Sequence, residues 1–115
     1  MAKKKTLPKK IKRAIQEYLE ILKKDGLPIR KVFVFGSWAK GKAHKWSDID
    51  LCIISPKFKN FDQALDYLWS KRIIKEDTHI QPVGYPPKDF VDESPLVWEI
   101  KKTGIEIIRL LKKKR

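Results

Sequence analysis

Asp48 and Asp50 stand one residue apart at the mouth of an apolar run, Ile49-Asp50-Leu51-Cys52-Ile53-Ile54, and before the first of them, with ten residues between, a run Val32-Phe33-Val34-Phe35 ends in Gly36-Ser37. In a strand, residues i and i+2 share a face, so the two carboxylates project together while Ile49 points the other way. Like charges that close push a pKa upward and favour neutralisation, and a divalent cation relieves the repulsion. Magnesium suits such a pair. It prefers hard oxygen ligands, commonly takes one or two protein carboxylates, and leaves its other positions to water and substrate phosphates. Gly36 lets a phosphate approach the main chain closely, and Ser37 offers an N–H and a hydroxyl. The connection over residues 38–47 is too short for a parallel crossover, so the two strands are expected to run antiparallel, bringing Ser37 beside Asp48.

The pattern G-S-x(10)-D-x-D, carried by Gly36, Ser37, Asp48 and Asp50 within VFVFGSWAKGKAHKWSDIDLCII (residues 32–54), resembles the signature of the polymerase-beta-type nucleotidyltransferase superfamily. The short chain is similar to its minimal nucleotidyltransferase (MNT) members, and Gly41 and Ser47 fit the commoner form of the motif. The resemblance implies that Gly36 and Ser37 hold the triphosphate of a nucleoside triphosphate such as ATP, that Asp48 and Asp50 hold Mg2+, and that a nucleoside monophosphate passes to a hydroxyl acceptor. Lys40, Lys42 and Lys45, in the loop between Ser37 and Asp48, would add positive potential around that triphosphate. MNT proteins are often paired with an all-helical HEPN partner, and some modify it with AMP as an antitoxin. A hetero-complex or oligomer is the corresponding expectation, since 115 residues leave little room for a separate acceptor-binding domain.

One departure stands out. The family's third carboxylate falls on the strand read at residues 77–83, where the aligned position here is Gln81. An amide can coordinate or hydrogen-bond through its oxygen, but it cannot act as a general base or cancel metal charge. Asp77 shares the face of Gln81 but lies about 13 Å away along a strand, and Glu76 is no better placed. The alternative to an enzyme is therefore an inactive module that binds nucleotide or neutralises a partner by covering it. A third reading, an RNA-binding accessory protein, would draw on the basic surface.

Composition bounds these readings. The chain carries 27 basic against 14 acidic residues, a net charge of +13, which invites a phosphate-backbone partner. Nine of those basic residues, however, sit in the terminal runs at positions 3–5, 9–10 and 112–115. There a solvated tail is the simpler explanation, and a lysine-rich surface also suits a hot habitat. Nucleic acid thus ranks below nucleotide as a partner. With 42% hydrophobic residues the sequence is that of one folded domain with basic, flexible termini at about residues 1–6 and 112–115. No apolar run reaches membrane-spanning length and MAKKKTLPKK has no apolar signal core, so no membrane role and a cytoplasmic location are expected. The single Cys52 excludes an intramolecular disulfide and reads as a core residue; His44 and His79 read as loop or strand-end residues.

Positioning elements follow from periodicity. Residues 8–25 form an amphipathic helix through Ile11, Ala14, Ile15, Tyr18 and Leu22, stopped by Gly26. Residues 31–35 form a central strand, apolar on both faces. Asn60 caps a second helix over 61–71 with Phe61, Ala64, Leu65, Leu68 and Trp69 on its apolar face. Gly84-Tyr85-Pro86-Pro87 reads as a turn and 88–91 as a single helical turn; Ser94-Pro95 opens a third helix closed by Gly104, and 105–110 read as a last strand or strand-like tail, with a helix as the alternative. The expected fold is a small α/β (α+β) domain with a mixed, mainly antiparallel sheet, helices chiefly on one face, and the chemistry at the ends of the first two strands.

Overall fold

The computed structural model describes residues 7–44, 47–72 and 79–107. Helix α1 (Lys9–Lys24) leads into strand β1 (Lys31–Phe35), a one-turn helix α2 (Ser37–Lys40), strand β2 (Ile49–Ile54), helix α3 (Phe61–Ser70), strand β3 (Ile80–Tyr85), a 3-10 turn (Pro87–Asp89), helix α4 (Pro95–Thr103) and a short strand β4 (Ile105–Glu106). The sheet order is β3-β2-β1-β4. β1 pairs antiparallel with β2, as the short link between them requires, and also antiparallel with β4, whereas β2 and β3 are parallel and joined through α3. The sheet is mixed and mainly antiparallel.

Strand alternation divides the core. Val32, Val34, Ile49, Leu51 and Ile53 face α1 and α3, where Ile11, Ile15, Tyr18, Leu22, Ala64 and Leu68 complete one cluster. Phe33, Phe35, Cys52 and Ile54 face the other way, against Val97 and Ile100 of α4. The stripe anticipated for α1 is the one it buries, with Leu19 added and Ala14 only half-buried. Within that cluster the Tyr18 hydroxyl donates to the Leu68 carbonyl at 2.6 Å, which satisfies a polar group that burial would otherwise penalise. Asn60 caps α3 by accepting from the Gln63 N–H, and Ser94 caps α4 by accepting from Val97 N–H with Pro95 behind it.

Several boundaries differ from the sequence reading. Gly84 and Tyr85 extend β3 instead of turning, because α3 must lie against this strand and only glycine leaves room: a Cβ at 84 would meet Phe58 Cε2 at 2.6 Å and Leu68 Cδ1 at 2.9 Å. Gly84→Ala is accordingly expected to cost about 1–3 kcal/mol by overpacking, read as a lower denaturant midpoint at unchanged slope. Trp69 is not a core residue of α3. It is 42% exposed, its indole N–H donates to the Pro82 carbonyl at 3.0 Å, and the Arg72 guanidinium lies 4.0 Å from its ring centroid. Phe61 turns to the opposite cluster, packing on Tyr85. β2 opens at Ile49, and the last strand is assigned only at 105–106. The expected termini, Lys45, Glu76 and Asp77 lie outside the described residues, as do 108–110.

Candidate functional site

The carboxylate pair sits where β1 ends, β2 begins and β3 begins. The antiparallel register sets Phe35 opposite Asp50, and the parallel register sets Asp50 beside Gln81. Asp50 shares its strand face with Cys52 and Ile54, and Gln81 shares its face with Val83 and Tyr85, so both belong to the α4 side of the sheet. Asp48, two residues before Asp50, is more exposed. It accepts from Gln81 Nε2 at Oδ2, 2.9 Å away, and its Oδ1 lies 3.8 Å from His79 Nδ1.

Gly36 is what lets the chain turn here. Its φ of 75° and ψ of −149° lie in a region essentially reserved for glycine, and a Cβ at this position would collide with Asp50 Oδ2. The main chain therefore passes directly against the Asp50 carboxylate before Ser37 starts α2. The Gly36 carbonyl accepts from Ala39 and Lys40 N–H groups, and the Ser37 carbonyl from those of Gly41 and Lys42, so the segment carrying Gly36, Ser37 and Lys42 is a tight, internally bonded turn.

The remaining sequence candidates divide by position. Lys40, at the end of α2, is ion-paired with Glu99 of α4 at 2.7 Å, which anchors α2 to the helix behind it. Lys42 is exposed. Ser47 organises the loop: its hydroxyl accepts from His44 N–H at 2.9 Å, its N–H donates to the His44 carbonyl, and its carbonyl accepts from the Trp38 indole at 3.3 Å. His79 was not singled out from the sequence. Its place two residues before Gln81, on the same strand face, is the signal that could have found it.

Electrostatics mark Asp50. Burial first, and the Asp48 charge second, push its carboxyl above the usual carboxylate range. Two adjacent acids, one half-buried, against a glycine that leaves the carboxylate no side-chain neighbour on that side, form a donor set of hard oxygens suited to Mg2+. Gln81 presents its amide N–H to Asp48, the orientation of a donor that orders a carboxylate. Among the described residues no group of three or more acidic, histidine or cysteine side chains is placed to hold a metal ion.

A model of the nucleotidyltransferase domain family matches residues 15–113, nearly the whole chain. The chain belongs to this family. Its nucleotidyltransferase fold is also seen in a crystal structure of a Sulfolobus solfataricus protein provisionally assigned as a nucleotidyltransferase, at 19% identity and a TM-score of 0.54, over 84% of this chain and 78% of that one. A toxin–antitoxin crystal structure with AMP-PNP superposes less well, at 16% identity and a TM-score of 0.44, over 79% of this chain and 70% of that one. A search of curated protein sequences found no match. In this nucleotidyltransferase domain, then, the acids are held by β2, the glycine turn by β1 and α2, and the amide by β3. Among the described residues no helix is long and apolar enough to cross a membrane.

Proposed function

We propose that this nucleotidyltransferase domain transfers a nucleoside monophosphate from a nucleoside triphosphate, ATP in the simplest case, to a hydroxyl on a partner protein. The observation that carries the reading is Asp50 pressed against the Gly36 turn with Asp48 two residues before it, Asp50 being held above the ordinary carboxylate range by burial and by its neighbour. Asp48 and Asp50 would hold Mg2+. Bound there, the cation would supply Lewis-acid neutralisation of charge developing at the reacting phosphorus. The Gly36-Ser37 main chain and the Ser37 hydroxyl would orient the β and γ phosphates, with Lys42 adding positive potential. The acceptor oxygen attacks the α phosphorus and the bond to pyrophosphate breaks. Gln81 has no basic atom to take the acceptor proton, so it orders Asp48 and leaves that proton to solvent. A HEPN-type helical protein is the acceptor that the family resemblance brings forward, and the cytoplasm the compartment.

Incubating the protein and a candidate partner with Mg2+ and α-labelled ATP tests this. Label should appear on the partner and vanish with Asp48→Asn or EDTA; nucleotide binding without transfer would overturn it. The second reading, a binding module without catalysis, is favoured by one observation: Gln81 occupies the position beside Asp50 and donates to Asp48.

Gln81→Asp separates the two. It places a third carboxylate beside Asp50, and a general base of that kind is commonly worth 10²–10⁴ in rate, so transfer is expected to rise at least about tenfold. In the metal-free protein the same change adds a third like charge and should lower the melting temperature. A transfer rate unmoved by this substitution would mean that the third position does not limit the reaction.

A further inference from the structure

The end of the sheet farthest from Asp48 carries a cleft of about 460 Å³, within the range typical of small-ligand sites. Its floor is apolar: Phe33 of β1 and Ile54 of β2 are nearly buried, and the Phe90 ring stacks beside Phe33 with centroids 5.4 Å apart and planes at 29°. Its rim is cationic. Arg30 and Lys31 stand exposed where β1 begins, and Lys101 of α4 holds its ammonium 5.1 Å from the Phe90 ring centroid. Lys101 is already paired with Asp92 at 2.8 Å, but no carboxylate lines the cleft, and among the described residues neither Arg30 nor Lys31 is ion-paired.

A solvated basic surface accounts for cations on a convex face; it does not account for two unpaired cations at the lip of a concave aromatic floor. A ligand that satisfies both halves has an aromatic ring and an anion. Guanidinium matches phosphate bidentately, an ammonium adds a point charge, and any base presents a π-face to an aromatic side chain. We propose that this cleft binds a free nucleotide, its base along Phe90 and its phosphate on Arg30 and Lys31.

This is a second position, apart from the transfer site. Both lie on the α4 side of the sheet, but Lys31 pairs with Ile54 while Phe35 pairs with Asp50, four residues along β1 or about 13 Å. One phosphate cannot reach both. The proposal does not depend on transfer chemistry, because it invokes none of the acids.

The test uses the full chain carrying Asp48→Asn and Asp50→Asn, without divalent metal, titrated with AMP by calorimetry and by amide chemical-shift mapping. One AMP should bind per chain, with shifts concentrated at residues 30–33, 87–90 and 101. Adding Arg30→Ala and Lys31→Ala, both exposed positions whose loss should leave melting unchanged, should weaken binding at least about tenfold, as loss of charge-assisted phosphate contacts implies. Adenosine and inorganic phosphate, each offering half of the ligand, should likewise bind at least about tenfold more weakly than AMP. Shifts centred on residues 36–42, an affinity indifferent to the Arg30 and Lys31 changes, or phosphate binding as tightly as AMP would each overturn the proposal. So would binding of a short single-stranded oligonucleotide with AMP inert.

Discussion

Asp50→Asn is expected to remove transfer while making the metal-free protein more stable at neutral pH. The activity loss should exceed about 100-fold, since even partners one shell removed from a metal commonly contribute 10–100-fold. The stability gain follows from linkage. Burial and Asp48 raise the Asp50 pKa in the folded chain above its unfolded value, so the native state holds this proton to higher pH than the unfolded state does. Stability from this group is fully present below the ordinary carboxylate range and is lost as pH rises through the raised folded value. Asn carries no such charge. The difference in melting temperature between variant and wild type should therefore be small near pH 4 and grow toward pH 7, while added Mg2+ should raise the melting temperature of the wild type alone. A variant that melts below the wild type at pH 7 without metal, or retains transfer, would contradict both halves of the argument.

Gly36→Ala should be the most damaging single-atom-scale change in the site. Alanine must adopt φ near 75° with ψ near −149°, a strain of about 1–3 kcal/mol, and its Cβ must displace the Asp50 carboxylate from where the structure puts it. Either the turn opens or Asp50 rotates away, so the phosphate turn and the acids lose their mutual position. A displacement of about 1 Å can cost on the order of 100-fold in rate, and both disruptions act here, so transfer should fall by at least that factor. Gly84→Ala is the control: it destabilises by overpacking far from the acids and should change the denaturant midpoint without changing the rate per folded molecule. Equal losses of rate in the two variants would show that the Gly36 effect is only one of stability.

The contrast between these glycines also shows what could be read from the chain before its structure. Gly36 announced itself because it ends an unbroken apolar strand and precedes a serine at a fixed distance from paired acids, all local signals. Gly84 misled. Followed by Tyr-Pro-Pro it has the composition of a turn, and only the arrival of Phe58 and Leu68 from across the parallel crossover explains why the strand continues through it. The same crossover hid His79, whose nearness to Asp48 depends on β3 lying parallel to β2, a pairing between residues some thirty positions apart. α2 was missed for a different reason: four residues cannot display a helical period. Lys40 was expected to serve the phosphates, and its contact with Glu99 became visible only once α4 had been placed behind α2. Unbroken apolar runs located β1 and β2, the three-to-four period located α1, and the cap residues Asn60 and Ser94 located the starts of α3 and α4; tertiary company decided the rest.

The Trp69–Pro82 hydrogen bond bears on how a protein partner can dock. In an outermost strand, the main-chain groups that point outward invite an extended peptide to join the sheet. At residue 82 both invitations are withdrawn, because proline has no N–H to give and its carbonyl is already taken by the indole. At the opposite margin, β4 spans two of the described residues, Ile105 and Glu106. An acceptor protein of the kind proposed is therefore expected to meet the β3 edge through side chains and shape, and not by zipping its backbone along that strand past residue 82.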